Sequence, residues 1–380
     1  MALTRIRLGD YIERSTANNR DLKYGIELIE GVNNNGVFAA PKGNPLDVDL
    51  APYKIVKNGA FVYNPTRLDL GSIAYRTEGL CIVSHLYMTF YLNEEGKKKI
   101  DPIWLYIYFR REEFQREVTF RNFGSQRPEF SFSDMSEIII PLPPIEIQRK
   151  YVEVYNSMLA NQKAYERGLD DLKIVFEGYI DNLRNKYPLE SIGPFIELSE
   201  DKNEDLEYNL SSVRGVSIEK KLIDTKADMN GVSLRPYYLL KPNEFAYVTV
   251  TSRNGEKISL AINDTTETFI CSSSYVVFRS KDQNALLPQY LMLYFSRSEF
   301  NRYARFNSWG SARETFDWNE MCNVQIPIPD VSIQKSITDI FACYIERKRI
   351  NEKLKAQIKD ICPILIKGSI SEAIGETING

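Results

Sequence analysis

FGSQRPEFSFSDMSEIIIPLPPIEIQ, residues 123–148, recurs as WGSARETFDWNEMCNVQIPIPDVSIQ at residues 309–334. The alignment extends without a gap over residues 102–149 and 288–335, and weaker similarity continues upstream in both copies. A repeat of roughly 185 residues is far longer than the unit of a solenoid, which has a period of about 20 to 50 residues. The sequence therefore predicts a duplicated domain.

Each copy opens with segments that are typical of short strands. YKIVKNGAFVYN (residues 53–64) and CIVSHLYMTFYL (residues 81–92) are rich in apolar and aromatic residues and are interrupted by Gly, Asn or Pro. The next segment, DPIWLYIYFRREEFQREV (residues 101–118), places large apolar residues near helical spacing behind a proline, which predicts a helix. Both copies are expected to be mixed α/β globules, so that the chain belongs to the α+β class.

A long helix is expected after each globule. In the first, Ile147, Tyr151, Val154 and Met158 are separated by three or four residues, and a similar seam begins at Ile333 in the second. Helices of about 30 to 40 residues would be roughly 45 to 60 Å long, more than either globule needs for its own core. We expect the two to pair as an antiparallel coiled coil. The predicted segments are globule 1–143, helix 144–188, globule 189–329 and helix 330–380.

Composition limits the classes of protein to which the chain can belong. A length of 380 residues with 43% apolar side chains suffices for two ordinary cores. No apolar stretch is long enough to cross a bilayer, and MALTRIRLGDY lacks the apolar region of a signal peptide, so a cytoplasmic location is expected. The five cysteines form no C-x-x-C pair, which favours reduced thiols over disulfides or a zinc site.

The charge is balanced rather than basic. The net charge is −3; residues 1–150 carry 20 basic and 19 acidic side chains, and residues 191–333 carry 15 and 19. A nucleic-acid-binding function would therefore require arginines that are segregated on one face, or phosphate contacts supplied by a partner. Composition alone does not indicate DNA.

Signatures of catalysis are weak. The single histidine, His85, is expected to be a satisfied residue of a strand rather than a catalytic base, which argues against a histidine-dependent triad, and one histidine cannot form a multi-histidine metal site. YNPTR at Tyr63 matches the N-P-P-Y signature of adenine methyltransferases only in part and has no glycine-rich cofactor loop beside it. Asp330, Glu346 and Lys348 form a loose nuclease-like pattern, but the E-x-K part falls within a predicted helix. These features predict a protein that recognises rather than one that catalyses.

The duplicated organisation resembles the DNA specificity subunit of type I restriction-modification systems. PLPPIEIQRKYV and PIPDVSIQKSIT are similar to the entry of that family's two long helices, and GSQRPEF, GSARETF and FVYNPTRLDLGSIAY also resemble it. The similarity covers essentially the whole chain. Ile147 and Ile333 stand where the family usually has glutamate, and Asp330 replaces a proline; these departures affect only the helix caps.

The resemblance implies a non-catalytic function that depends on partners. Each globule would be a target recognition domain for one half of a split, asymmetric site in double-stranded DNA. The helices would set the distance between the half-sites and dock two methyltransferase (modification) subunits, which methylate adenine N6 with S-adenosylmethionine. Restriction subunits with motor and nuclease activity, using ATP and magnesium, would join for defence against foreign DNA. The chain itself would bind no cofactor, no metal and no membrane.

Candidate DNA-binding residues follow from side-chain chemistry. Asn and Arg suit bidentate base contacts, and the loops that differ between the two copies are where different half-sites would be read. The Gly-Ser-x-Arg turns are shared by both copies and suit a sequence-independent grip on phosphate, although a purely structural turn would have the same sequence. The candidates for base reading are Asn64, Arg67, Arg76, Ser252, Arg253, Asn254 and Lys257, and those for phosphate are Ser125, Arg127, Ser311 and Arg313.

Two other functions are compatible with the sequence. One is a non-catalytic scaffold whose paired helices hold partner proteins while the globules bind protein or nucleic acid nonspecifically. The other is the specificity module of an enzyme whose catalytic domain is separate. An adjacent gene for an adenine methyltransferase would favour the specificity subunit over both.

Overall fold

The computed structural model describes residues 3–41, 48–122, 129–225, 227–251, 257–311 and 313–375. The chain forms two compact units. The first unit consists of Met1–Tyr165 together with Ile350–Gly380, and the second unit of Glu166–Arg349. Each unit therefore contains one globule and one segment of each long helix.

The described residues of the first unit form ten strands, four short helices and part of each long helix. The strands are β1 Thr4–Arg7, β2 Ile12–Arg14, β3 Gly31–Val32, β4 Phe38–Ala39, β5 Lys54–Val56, β6 Phe61–Tyr63, β7 Ile73–Tyr75, β8 Cys81–Val83, β9 Met88–Leu92 and β10 Ile139–Leu142. The helices are α1 Glu94–Lys99, α2 Pro102–Phe109, α3 Glu112–Arg121, α4 Phe132–Ser136 and the start of α5, Ile145–Lys186.

The second unit repeats this series. Its strands are β11 Leu189–Ser191, β12 Ile196–Leu198, β13 Arg214–Val216, β14 Leu222–Asp224, β15 Tyr238–Leu240, β16 Phe245–Val248, β17 Leu260–Ile262, β18 Phe269–Cys271, β19 Tyr275–Ser280 and β20 Gln325–Pro327. Its helices are α6 Pro288–Phe295, α7 Ser298–Phe306, α8 Trp318–Cys322 and the start of α9, Val331–Ile374.

The two globules share one sheet topology. The described strands form a four-stranded antiparallel sheet in the order β2-β9-β6-β7 in the first unit and β12-β19-β16-β17 in the second. Three two-stranded ladders accompany each sheet: β1-β10, β5-β8 and β3-β4, then β11-β20, β15-β18 and β13-β14. The duplication and the mixed α/β class predicted from the repeat are confirmed.

The helix predicted over residues 101–118 is interrupted. Helix α2 ends at Phe109, Arg111 has an extended backbone, and α3 begins at Glu112. Phe109 and Phe114, on opposite sides of the break, are both buried, and their ring centroids lie 4.8 Å apart. The break therefore lets two large rings enter the same core.

Segments of the two long helices pack antiparallel within each unit. In the first unit, Lys150 pairs with Glu372 at 2.8 Å, and the Nε2 of Gln162 donates to the Oδ1 of Asn351 at 2.9 Å. In the second, the Phe176 ring lies 5.5 Å from that of Phe341. As the residue number increases along α5, the number of the contacting residue in α9 decreases, as expected for an antiparallel pair.

The buried stripe of α5 begins one residue away from the predicted seam. The structure buries Val152 and Tyr155 and leaves Val154 47% exposed. Val152 and Tyr155 join the core of the first globule, to which Cys362 and Leu365 of α9 also contribute. The start of this helix is therefore oriented by the globule as well as by the other helix.

Helix α9 completes the core of the first unit. The indole of Trp104, fully buried on α2, donates through Nε1 to the Ser369 hydroxyl at 3.0 Å. Ser369 in turn donates to the Ile366 carbonyl at 2.8 Å. A buried Trp needs such a partner, because an unpaired indole N–H away from water is costly.

A fully buried glutamine joins each globule to its long helix. In the first unit, Oε1 of Gln148 accepts from the Asp101 amide at 2.8 Å, while Nε2 donates to the carbonyls of Lys99 at 2.9 Å and Pro143 at 2.7 Å. One side chain thus satisfies three backbone groups, from the end of α1, the start of α2 and the segment that enters α5.

The second unit repeats the same joint. Oε1 of Gln334 accepts from the Leu287 amide at 2.9 Å, and Nε2 donates to the carbonyls of Ala285 and Pro329, both at 2.8 Å. All three partners stand at the positions that align with those of Gln148. This network explains why the P-x-P-x-x-x-x-Q pattern occurs twice.

We predict that Gln148→Met locally opens the joint of the first unit. The methionine side chain fills similar space but leaves three buried backbone groups without a hydrogen-bond partner, which lowers the free energy of unfolding by about 3 kcal/mol. Hydrogen exchange should show the Asp101 amide losing protection while the Leu287 amide keeps it. Gln334→Met should give the reverse pattern, and Gln357→Met, on the exposed surface of α9, should change neither. Unchanged protection in both joint variants would contradict the assignment.

Candidate nucleic-acid interface

The first candidate loop connects β6 to β7. The Asn64 side chain accepts from the Thr66 amide at 3.1 Å and from its hydroxyl at 2.9 Å, which starts a tight turn. A short 3-10 turn, Leu68–Leu70, follows and ends at Gly71, whose φ of 88° requires glycine. Arg67 lies on this loop with an exposed side chain. Asn64 therefore shapes the loop, and Arg67 is the residue that it presents.

Arg76 is held inside the globule. Its Nη1 lies 2.8 Å from the Glu30 carboxylate, and its guanidinium lies over the Phe38 ring at 5.0 Å. The two charged side chains are only 14% and 28% exposed. This geometry favours a role in holding the β3-β4 hairpin over a direct contact with a base.

The corresponding loop of the second unit connects β16 to β17. Lys257 is exposed and pairs with Glu219 at 2.8 Å. The other candidates of this loop, Ser252, Arg253 and Asn254, lie outside the described residues.

The shared turn is described in the second unit only. Trp309 and Thr315 exchange two backbone hydrogen bonds, of 3.1 and 3.0 Å, which close a small loop that carries the exposed Ser311 and Arg313. Gly310 has a φ of 140°, and a Cβ there would lie 2.3 Å from the Arg313 carbonyl oxygen. Glycine is therefore required. Ser125 and Arg127, the counterparts in the first unit, lie outside the described residues.

Backbone hydrogen bonds join the shared turn to the divergent loop. In the second unit, the Phe316 amide donates to Thr249 at 2.8 Å, and the Thr251 amide donates to Glu314 at 3.0 Å. In the first unit, the Phe130 amide donates to Pro65 at 3.0 Å. In the second unit the divergent loop and the shared turn therefore lie side by side, and in the first unit the divergent loop contacts Phe130, the second described residue after that turn.

A basic side chain supports the divergent loop of each unit: the buried Arg110 in the first and the half-buried Lys220 in the second. In the first, Arg110 donates to the carbonyl of Gly71, two residues before β7, and to that of Asn34 at 3.3 Å. In the second, Lys220 Nζ donates to the carbonyl of Ile258, two residues before β17, at 2.8 Å. The carbonyl oxygen at the equivalent position, two residues before β7 or β17, therefore accepts a hydrogen bond in both units. The basic side chains that donate these bonds come from different positions in the sequence.

These two basic residues carry no common signal in the sequence because they do not align. Arg110 caps the end of α2, whereas Lys220 lies in the turn between β13 and β14. Burial lowers the pKa of Lys220 to about 7, with Lys257 adding a smaller effect in the same direction. Its Nζ also lies 5.2 Å from the centre of the Phe300 ring.

The catalytic patterns do not assemble in the structure. His85 lies in an exposed turn between β8 and β9, so its predicted place in a strand was wrong. Asp330 precedes α9 and Glu346 lies sixteen residues further along, about 24 Å away at the rise of a helix. Within the described ranges, no group of three or more His, Cys, Asp or Glu side chains is placed to hold a metal ion. No described helix is long and apolar enough to cross a membrane.

A family model described as the type I restriction modification DNA specificity domain matches the chain twice, over residues 8–169 and 196–360. A search of curated proteins found no match. Among solved structures, the S subunit of a type I restriction-modification system from M. genitalium is 10% identical, with a TM-score of 0.61 over 97% of this chain and 96% of that chain. This similarity shows a shared fold.

Two further solved structures are similar over nearly the full length. The HsdS subunit from Thermoanaerobacter tengcongensis is 15% identical, with a TM-score of 0.38, and the alignment covers 99% of this chain and 97% of that chain. A chain from a structure on complex assembly and conformational transition of the type I R-M system is also 15% identical, with a TM-score of 0.48 and 97% of each chain covered.

We predict that Lys220 makes the stability of the second unit depend on pH. The folded protein releases the Lys220 proton at about pH 7, whereas the unfolded chain releases it near pH 10.5. Rising pH therefore favours the folded state between these values, and this contribution is lost as the pH falls through about 7. From about pH 6 to pH 8.5, the free energy of unfolding should rise by about 2 kcal/mol more in the wild type than in Lys220→Met.

Urea unfolding of both proteins at the two pH values measures this difference. Arg110→Met, the matched change in the first unit, should lower stability equally at both, because arginine does not titrate in this range. Parallel pH dependences for the wild type and Lys220→Met would refute the role of Lys220.

Proposed function

Because the chain belongs to the type I restriction-modification DNA specificity family and contains two specificity domains, we propose that each domain reads one half of a bipartite, asymmetric DNA site. The specificity subunit family is generally non-catalytic. By binding this site, the chain would direct adenine N6-methylation and restriction by partner subunits.

The observation that carries the proposal is the contrast between a shared scaffold and divergent loops. The sheets, the helix joints and the supported carbonyl are the same in both units, whereas the loop after β6 and the loop after β16 differ in length and sequence. A reader of two different half-sites needs this combination, since a few side chains read bases on a scaffold that phosphate contacts position.

The candidate residues divide by role in this proposal. The base-reading candidate of the first domain with the strongest support is Arg67, which is exposed on a loop shaped by Asn64. Arg76 would act indirectly, through the hairpin that it holds. In the second domain the base-reading candidates are Ser252, Arg253, Asn254 and Lys257. Ser125 and Arg127, with Ser311 and Arg313, would contact phosphate in both domains alike.

The long helices would set the distance between half-sites and dock two methyltransferase subunits. The apolar side chains that are exposed on the two helices would be available for this docking: Val154, Ile174, Val175, Ile345 and Ile364. In this proposal S-adenosylmethionine, ATP and magnesium are bound by partner subunits, restriction subunits join the same complex, and the complex acts in the cytoplasm.

Mapping of adenine methylation at base resolution tests the proposal. A host without its own methylation would express this chain with the neighbouring methyltransferase, or the methyltransferase alone. A bipartite motif that requires this chain would support the proposal and give both half-sites and their spacing. No motif from two soluble and associated proteins would favour a scaffold function instead.

We predict that Arg67→Ala relaxes recognition of one half-site only, with a loss of about 1 to 3 kcal/mol of discrimination there. Arg67→Lys should restore little, since lysine cannot make the bidentate contact. Arg5→Ala, which removes an exposed arginine from β1, serves as the control and should leave the motif intact. Loss of both half-sites in Arg67→Ala would contradict the assignment.

We predict that Arg127→Ala and Arg313→Ala weaken binding about equally on all sequences and reduce the dependence of affinity on salt by about one ion each. Titrations of the assembled complex at several salt concentrations measure both quantities. A change of motif in either variant would show that these arginines read bases.

A further inference from the structure

An exposed phenylalanine occupies the same place in both units. Phe120 on α3 is 81% exposed, and Phe306 on α7 is 78% exposed. The two positions align within the gapless part of the repeat. Large apolar side chains are usually exposed singly and at unrelated places, so the recurrence of this one calls for an explanation.

Each ring stands on the outer face of a helix whose inner face is anchored. Phe114 and Val118 of α3 are buried in the first core, and Phe300 and Ala304 of α7 in the second. Since neither core uses the exposed ring, it contributes little to folding and is available for a contact outside the unit.

An exposed arginine shares the outer face with each ring. Arg116 lies one helical turn before Phe120, and Arg302 one turn before Phe306, so each pair projects from the same side of its helix. Both arginines have side chains about two-thirds exposed, with acidic neighbours no closer than 3.6 Å. Such weak ion pairs leave the guanidinium available for a stronger anionic partner.

The sequence around each ring is basic in a chain that is acidic overall. Residues 116–127 contain three arginines and one glutamate, and the aligned residues 302–313 contain three arginines and no acidic residue. Aromatic residues alternate with the arginines, and in the second unit the indole of Trp309 is 64% exposed. Aromatic residues interleaved with arginine favour a nucleic-acid partner over an acidic or apolar protein surface.

Both helices also contact the divergent loops directly. Helix α3 packs against the Leu68–Leu70 turn, and Asn301 of α7 accepts from the Ile258 amide at 3.4 Å. The rings therefore stand on helices that directly border the loops of the proposed DNA contacts.

From this placement we infer that Phe120 and Phe306 are apolar contacts to the DNA duplex, one per half-site, that stabilise binding without reading sequence. The same residue, phenylalanine, stands at this position in both units, whereas a residue that reads bases would differ between two different half-sites. We therefore assign these two rings no part in sequence specificity. The inference rests on the proposed DNA-recognition function.

The test measures DNA binding of the complete complex with its methyltransferase, using wild type, Phe120→Ala, Phe306→Ala and the double variant. Duplexes would carry the full motif, or the motif with one half changed. Each single change should weaken binding by about tenfold on every duplex, since burying a Phe ring is worth a factor of about this size or more. The salt dependence should stay unchanged, because no charge is lost, whereas Arg302→Ala should reduce it.

Leu86→Ala and Leu210→Ala, which truncate apolar residues that are 66% and 54% exposed elsewhere on the two globules, are the matched controls and should leave DNA affinity unchanged. In the second unit, Trp309 fluorescence reports on the same surface and should change when DNA is added. Size-exclusion chromatography shows whether each variant still assembles with the methyltransferase.

Two results would overturn the inference. One is wild-type DNA affinity in the double variant; the other is loss of methyltransferase assembly, which would make the rings part of a protein interface. Either result leaves the proposed function standing if the wild-type complex binds its bipartite motif. If the wild-type complex binds no DNA selectively, the proposed function itself fails.

Discussion

The buried glutamine at the start of each long helix is the contact on which the architecture depends. Its carboxamide pairs with backbone groups from three segments, so the direction in which α5 and α9 leave their globules follows from one side chain each. A buried carboxamide tolerates little displacement, because any unmade bond costs its full desolvation penalty. A protein whose function requires two recognition surfaces at a defined spacing needs a joint of this kind.

The two units differ in how they support equivalent loops. The same carbonyl oxygen is held by arginine in one and by lysine in the other, and the two cations come from unrelated positions. The requirement for a hydrogen-bond donor under this loop has thus been met twice in different ways. Loops can diverge in sequence when a contact to the backbone, rather than to a loop side chain, keeps their base in place.

The sequence was sufficient to predict the duplication, the α+β class and the long helices, because repetition and apolar periodicity report directly on these features. The family was predicted from the resemblance of motifs such as PLPPIEIQRKYV and PIPDVSIQKSIT. It could not reveal the partners of Gln148, since backbone groups carry no sequence signal, nor the cations Arg110 and Lys220, which do not align. It misplaced His85 and the start of the α5 stripe, where the globule core rather than the helix partner selects Val152 and Tyr155. The roles of Arg67 and the other candidate residues stay predictions, because a side chain on a polar turn looks the same in sequence whether or not it meets DNA.

The contribution of α9 to the first unit has a consequence for synthesis. The second unit is a continuous stretch of chain, whereas the first needs Cys362, Leu365 and Ser369 to close its core around Trp104. These residues follow the second unit in the chain, so a ribosome makes them only after the first globule and the whole second unit have been synthesised. Domains generally fold as units in the order of their synthesis, but the core of this first unit cannot close in that order. A nascent chain that ends before α9 therefore holds a first globule whose core still lacks these three side chains.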